Sequence, residues 1–224
     1  MMKQTLFLLG SILAWSGAAQ AADSAPAAKP AYINNFDKVE LDATPSDFMV
    51  LDGGFAVKEE GGNKFLELPG APLDSYGVLF GPTEKENDVQ VTARIYGTGK
   101  GRRFPAFGIA AGGVGGYKLQ ISPAKKLAEL YRGDELKTNA PVEWDSGKWS
   151  HLRLRVSAEK AGSWKIEGWV WGEQAKAPEE PLISLTVSEK PPTGRASVWG
   201  FPFSGTPIRF DDVEVVVTPA KAAP

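Results

Sequence analysis

The chain has no cysteine, a single histidine and only three methionines. Without cysteine there can be no disulfide, thiolate metal site, cysteine nucleophile or lipid attached through an N-terminal Cys. One histidine rules out a multi-histidine metal site, and a Ser-His-Asp triad would have to be built on His151 or not at all. Counted by twos, His151 falls with Arg153 and Arg155 on the solvent-facing set of its segment, where neighbouring cations disfavour its protonated form. An excess of either charge is also missing, with 25 Lys and Arg against 27 Asp and Glu and a net charge of −2. No basic surplus points to nucleic acid. The one basic cluster, Lys100, Arg102 and Arg103, lies in a Gly-rich loop and reads as a solvated turn. Beyond the N-terminus no segment approaches ~18 uninterrupted apolar residues, so nothing later in the chain is expected to cross a membrane as a helix.

The first residues are different. Lys3 precedes an apolar run from Leu6 to Trp15, and small residues then lead to Ala19-Gln20-Ala21, the pattern of a cleaved signal peptide. The run is broken by Gly10 and Ser11 and is short for a permanent span of a ~30 Å hydrocarbon core. Residues 1–21 are therefore expected to be a signal peptide. The product is expected to be periplasmic or secreted, and not an integral membrane protein after cleavage. Residues 22–31 and 219–224 share an Ala/Pro/Lys composition that cannot bury a core and are expected to be a disordered linker and tail. Residues 32–218 remain as one domain, large enough to bury a core without disulfides.

Within that domain the dominant period is two. Val89, Val91, Ala93 and Ile95 alternate with Gln90, Thr92 and Arg94, and Leu152, Leu154 and Val156 alternate with Arg153, Arg155 and Ser157, so each run buries one face of a sheet. The last strand, Ile208 to Val217, behaves similarly until its apolar end. Further strands are expected at 48–51, 55–58, 64–68, 77–80, 107–111, 117–121, 127–131, 164–171, 182–187 and 195–199. Glycine (25 residues) and proline (17 residues) punctuate almost every gap between them. Only Ala124 to Glu129 has the makings of a short helix. Many short strands, almost no helix and no internal repeat predict an all-β, two-sheet antiparallel jelly-roll sandwich.

Three segments carry a resemblance to a known superfamily: Asn35-Phe36-Asp37, the run Gly147-Lys148-Trp149-Ser150-His151-Leu152-Arg153-Leu154-Arg155-Val156, and Arg209-Phe210-Asp211-Asp212-Val213-Glu214-Val215. The middle run is similar to the G-x-W-x-x-L-x-x-x-V strand of laminin-G-like and 3-keto-disaccharide-hydrolase-like domains. The chain as a whole resembles the concanavalin A-like lectin/glucanase superfamily. The resemblance implies a concanavalin A-like sandwich that is either carbohydrate-binding or carbohydrate-active. It also implies a structural calcium, with Asp211 in the position of the ligand on the last strand and Asp37 in the matching N-terminal segment. Such hard oxygen ligands suit calcium. An Asp-Asp pair before a strand is equally ordinary turn chemistry. No cofactor is required, and calcium, if bound, would be structural.

The catalytic motifs of the superfamily are broken. Glucanases of this type carry Glu-x-Asp-x-x-Glu on one strand, because a retaining pair of carboxyls must sit ~5 Å apart. Here Glu143-Trp144-Asp145-Ser146-Gly147-Lys148 ends in lysine and reads as a turn. The Gly-Tyr-Glu-x-Gln-Ile segment of 3-keto-disaccharide-hydrolase-like domains is matched by Gly116-Tyr117-Lys118-Leu119-Gln120-Ile121, in which an ammonium replaces the carboxylate and cannot serve as the same base or ligand.

A binding site needs less: an apolar platform for a pyranose face, rimmed by hydrogen-bonding groups. The strand from Trp164 to Trp171 places Lys165, Glu167, Trp169 and Trp171 on one face. With Tyr117, beside the Gly-rich Gly112 to Gly116 loop, these are the carbohydrate-binding candidates. The plain alternatives are that Trp169 and Trp171 cap a layer of the sandwich and that the glycine loop is a hairpin turn. Trp199, Phe201 and Phe203 form a third aromatic group, read as stitching a loop over the sandwich edge, although their alternation is also consistent with one shared face.

Three functional readings follow. The leading one is an exported, non-catalytic sandwich that binds glycan or an exported protein partner. The others are a divergent carbohydrate-active enzyme whose carboxylates come from separate loops, for example Asp74, Glu84, Glu86, Asp88 or Asp134, and a structural accessory domain of a larger exported assembly.

Overall fold

The computed structural model describes residues 29–84, 87–159 and 162–219. The expected signal peptide, residues 22–28 of the linker and residues 220–224 of the tail lie outside the described residues. Fifteen strands follow one another: β1 (Pro30–Asn34), β2 (Met49–Asp52), β3 (Ala56–Glu60), β4 (Asn63–Leu68), β5 (Tyr76–Glu84), β6 (Asn87–Gly97), β7 (Ala106–Ala111), β8 (Tyr117–Ser122), β9 (Leu127–Arg132), β10 (Glu135–Pro141), β11 (Trp149–Ala158), β12 (Trp164–Gly172), β13 (Ile183–Val187), β14 (Gly194–Phe201) and β15 (Ile208–Pro219). Every stretch read as a strand from its alternation is one.

The strands form two antiparallel sheets. The first has the order β13-β12-β11-β6-β15-β4-β3, with β1 also paired to β15, and the second has the order β10-β9-β8-β7-β14-β5-β2. The chain passes repeatedly from one sheet to the other, so strands distant in sequence become neighbours. β14 lies between β5 and β7, and β15 lies between β4 and β6. Alternation then does the rest. Val91, Ala93, Ile95, Leu152, Leu154 and Ile166 point inward from the first sheet to meet Phe80, Phe107, Ile109, Leu119, Ile121 and Val198 from the second in one continuous core. Gly168 keeps the layers close, since a Cβ there would stand 2.9 Å from Leu119 Cδ1.

One irregularity positions charge. Along β15, Ile208 and Phe210 are buried and so are Val213 and Val215, which a strict period of two cannot satisfy. The register against β6 shifts between Asp211 and Glu214, and Asp212 has φ 48°. This is a β-bulge, two residues facing one, which resets the parity so that Val213 and Val215 reach the core. Asp212 and Val213 are the two residues of the bulge, facing Ala93, and Asp211 stands at its edge opposite Arg94.

Three details depart from expectation. β1 begins at Pro30, inside the stretch assigned to the linker, and pairs with β15 from Pro30 opposite Val216 to Asn34 opposite Val213. Its Pro-Ala start carries no alternation to read. β10 was not anticipated, because an edge strand paired on one side only has no buried face to write into its sequence. The expected helix from Ala124 to Glu129 shrinks to a 3-10 turn at Pro123–Lys125, ended by the left-handed Lys126 (φ 56°), after which Ala128 and Leu130 alternate into the core.

Candidate functional site

β12 presents Lys165, Glu167, Trp169 and Trp171 together on the outer face of the first sheet, as its alternation requires. Tyr117 does not join them. It lies on β8 in the second sheet, shares the inward parity of Leu119 and Ile121, and is 1% exposed in the core. The assignment of Tyr117 to a binding surface is therefore corrected.

The outer face of the first sheet is crossed by a ladder of rings and guanidinium groups. Arg209 lies over Phe65 (4.5 Å) and Tyr96 (5.1 Å), Arg94 over Trp149 (4.7 Å), and Arg153 over Trp171 (5.1 Å) and Trp169 (5.8 Å). His151 stacks on Trp171 with centroids 5.1 Å apart and planes 5° apart. Burial, and then the charge of Arg94, lower the pKa of His151, so the ring is neutral at neutral pH. Trp169 is only 6% exposed, with its Nε1 donating to the Glu179 carbonyl at 3.4 Å, and Lys165 pairs with Glu167 at 2.7 Å. These rings are already stacked, which leaves Trp169 no free face for a sugar. Trp169→Ala is accordingly expected to lower folding stability by about 2 kcal/mol, less than a central core truncation because the covering 173–182 segment can settle into the space. Chemical denaturation measures it, and a midpoint equal to wild type would return Trp169 to the list of free surface residues.

The two aspartates read as calcium ligands are otherwise engaged. The Asp211 carboxylate is 1% exposed and receives Arg94 Nη2 at 2.6 Å and Asn63 Nδ2 at 2.9 Å, while Arg94 Nε reaches Asp212 at 2.8 Å. Burial pushes the Asp211 carboxyl up, offset in part by the Asn63 hydrogen bond and the Arg94 charge. Asp37 is exposed and accepts from Asn35 Nδ2 at 2.6 Å. Among the described residues no group of three or more His, Cys, Asp or Glu is placed to hold a metal ion. The guanidinium of Arg94 supplies the positive charge that Asp211 needs.

A cleft of about 510 Å³ opens at one end of the sandwich, lined by Trp149, Trp171, Glu143, Asp145, Lys148 and Glu173 among others. It gathers the Glu143-Trp144-Asp145 segment, which is a turn as its sequence suggested, and Asp145 is already paired with Lys148 at 3.0 Å. The scattered carboxylates do not converge there. Asp88 on β6 accepts the Ala158 N–H at 2.8 Å, Asp74 accepts the Ser75 N–H at 2.7 Å, and Glu86 lies outside the described residues.

The outer face of the second sheet holds an arrangement that the strand-by-strand reading missed. Facing outward, β7 presents only Ala106, Gly108 and Ala110, a low strip between taller neighbours that forms the floor of a shallow groove, with Gly108 and Ala110 themselves buried under those neighbours. On one side stand Lys118, Gln120 and Ser122 of β8, and on the other Ser197, Trp199 and Phe201 of β14. The register gives one row as Glu129, Gln120, Gly108, Trp199, Gly77 and the next as Tyr131, Lys118, Ala110, Ser197, Leu79. Trp199 therefore has glycine on both flanks. The six-membered part of its indole rests on Gly77, where a Cβ would come within 2.7 Å of Cε3, and its Nε1 donates to Ser197 Oγ at 2.8 Å. Phe203 does not extend the row, since it closes a tight turn with Thr206.

Polar groups finish the groove. Glu129 is 1% exposed and accepts from Lys125 Nζ at 2.8 Å and from the Ser122 hydroxyl, which itself receives Gln120 Nε2 at 3.0 Å. Burial works to raise the Glu129 carboxyl, but the hydrogen bonds from Lys125 and Ser122 outweigh it and hold the group below its ordinary value, ionised at neutral pH. Lys118 Nζ hangs between three rings, 5.0 Å from Phe201, 5.1 Å from Tyr131 and 5.4 Å from Trp199. Burial lowers its pKa, with Asp134 and then Glu129 acting in the opposite sense. The alternation of Trp199 with Phe201 was the only sequence signal for this site. The Gly112 to Gly116 segment is the β7–β8 hairpin turn, with Gly112 at φ 87° and Gly113 at φ 72°.

No protein-family model matches the chain, and no curated protein matches it significantly. Solved structures do. The carbohydrate recognition domain of Emp47p aligns over 85% of this chain and 96% of its own at 9% identity, with a TM-score of 0.58. A marine PL-14 alginate lyase from Aplysia kurodai aligns over 85% and 100% at 8% identity, with a TM-score of 0.57. The exoplasmic/lumenal domain of VIP36, in a Ca2+/Man3GlcNAc-bound form, aligns over 81% and 88% at 7% identity, with a TM-score of 0.54. These are concanavalin A-like jelly rolls, and the chain has that fold. At such identities the likeness speaks for architecture alone.

Proposed function

We propose that this chain is an exported, non-catalytic sandwich domain that binds carbohydrate in the groove along β7. The observation that carries the reading is Trp199, an outward-facing, half-buried indole seated on Gly77 and flanked by Gly108, so that no side chain of its own row on either neighbouring strand stands against it. Pyranoses expose C–H faces that pack on aromatic rings and hydroxyls that need donors and acceptors. Gln120, Ser122 and Glu129 stand in or next to the same row but are buried and bond one another, so half-buried Lys118 beside the indole is the donor within reach. Export rests on the N-terminal pattern, and among the described residues no helix is long and apolar enough to cross a membrane. The lectin and glycan-processing proteins with this fold, named above by what they bind or cleave, support a glycan ligand over a protein partner.

The non-catalytic part rests on the groove's carboxylates. Hydrolysis by a pair of carboxyls needs one group held protonated beside a second, ~5–9 Å away. Among the described residues the groove walls carry Glu129 alone, and Lys125 and Ser122 hold it ionised.

A glycan array followed by calorimetry on the purified exported chain tests the reading. Trp199→Ala is expected to weaken binding by about tenfold or more, the equivalent of ~1.4 kcal/mol. Gly77→Val, whose side chain displaces the indole, should do the same with the fold intact, and Trp171→Ala should leave affinity unchanged. Wild-type affinity in Trp199→Ala would remove the groove as the site. A blank array from folded protein would turn the reading toward a protein partner or a structural accessory role, and release of a product from any glycan would turn it toward catalysis.

A further inference from the structure

We propose that the ligand of the β7 groove is an acidic carbohydrate, one bearing carboxylate or sulfate, and that Lys118 is the residue that reads its charge. This rests on the groove being a carbohydrate site. Several cations of the molecule are paired. Lys125 meets Glu129, Lys165 meets Glu167, Arg94 meets Asp211 and Arg132 meets Glu189. Lys118 is not, and in this it resembles Arg153, which lies over Trp169 and Trp171 on the other sheet. Among the described residues no carboxylate lies within 4 Å of its Nζ, although the side chain is half-buried and points across the groove rather than out to water.

A desolvated, unpaired ammonium is costly unless something compensates it. The rings of Tyr131, Trp199 and Phe201 compensate in part, because the negative faces of aromatic rings attract a cation. They also fix where the charge sits. Three rings around one ammonium hold it over Ala110 and Gly108, beside the indole on which a sugar would stack. An anionic substituent on that sugar would meet a positioned charge in a setting poorer in water than the surface, where the attraction is stronger. The same geometry excludes a cationic ligand, since the aromatic cage that would receive it is filled by Lys118. Asp134 and Glu129 act on Lys118 only from beyond ion-pair distance, and Glu129 is taken by Lys125 and Ser122.

Calorimetry with three matched oligosaccharides provides the test: a polyuronate, the same chain with its carboxyls reduced to alcohols, and a sulfated neutral chain of equal length. Each is titrated into wild type, Lys118→Met and Trp199→Ala. The proposal expects wild type to prefer an acidic chain over the reduced one by about tenfold or more. Lys118→Met should abolish the preference while keeping the weak binding of the reduced chain, and Trp199→Ala should weaken every chain that binds. Preference for the polyuronate alone, for the sulfated chain alone or for both identifies the acidic group. Equal affinity of wild type for charged and reduced chains, or a preference that survives in Lys118→Met, overturns the charge-reading role while leaving the Trp199 platform standing. Unchanged binding in Trp199→Ala overturns the platform reading as well, whereas failure of folded wild type to bind any of the three overturns the acidic ligand and leaves the platform to the glycan array.

Discussion

Phe210→Ala is expected to cost about 3–5 kcal/mol of folding stability, a loss set by the cavity it leaves as much as by the apolar surface removed. Phe210 is fully buried on β15, opposite Leu66 of β4 and Ile95 of β6, with its ring 6.1 Å from that of Phe55. Across the sandwich it reaches Gly200 of β14, where an added Cβ would lie 3.6 Å from Phe210 Cζ. The strands on both sides are held by their ladders and by packing on their own layers, which limits collapse into the space. Equilibrium denaturation in urea measures the effect, as a fall in midpoint at constant slope. A midpoint equal to that of wild type would mean that the inward parity assigned to the first half of β15 is wrong.

Arg94→Met should be similarly damaging at neutral pH, about 3 kcal/mol, because it leaves the Asp211 carboxylate buried without its cation. Arg94 also bridges to Asp212 and lies over Trp149, so one side chain joins the β15 bulge to the aromatic ladder. The pH dependence separates loss of charge compensation from simple loss of packing. Burial already raises Asp211, and removing Arg94 raises it further, so the folded variant binds a proton more tightly than the unfolded chain does. The penalty is then fully present above the folded pKa and is relieved as pH falls toward the unfolded carboxyl value of ~3.9. The deficit relative to wild type should therefore shrink as the pH is lowered from neutrality toward the unfolded carboxyl value. The double variant Arg94→Met with Asp211→Leu should recover much of the loss at neutral pH, since an apolar pair replaces an orphaned charge. A deficit that is constant with pH and unrescued in the double variant would show that the contact with Trp149, not the ion pair, is what matters.

These two residues also show how unevenly the structure could be read beforehand. Phe210 was legible as core because Ile208 and Phe210 alternate with charge on either side. The bulge after it was not. An Asp-Asp pair at the start of a strand is common to turns, calcium sites and bulges, and the choice is made by Arg94 and Asn63, which come from strands far away in sequence. The same holds on β12. Alternation placed Trp169 and Trp171 side by side with Lys165 and Glu167, but whether an indole is a free platform or a stacked rung depends on Arg153 and His151 of β11 and on the segment over Trp169. Tyr117 was misread because its glycine neighbours suggested an open loop, while its parity with Leu119 and Ile121 already directed it inward.

The groove along β7 lies at the far end of this range. Its wall residues occupy two alternating runs, Lys118-Leu119-Gln120-Ile121-Ser122 and Ser197-Val198-Trp199-Gly200-Phe201, and each marks an outward set. No local rule says that these runs flank the same strand. Ala106, Gly108 and Ala110 become a floor only when β14 returns to lie beside β7.

Residue periodicity by itself determined that this protein is an all-β sandwich and which side of most strands is buried, because a period of two and the burial of apolar side chains act within a few residues. Only the tertiary structure decided which outward faces meet. Strand order and register join segments that are remote in the chain, and it is those junctions that turn Lys118 and Trp199 into one site and Asp211 into the partner of Arg94.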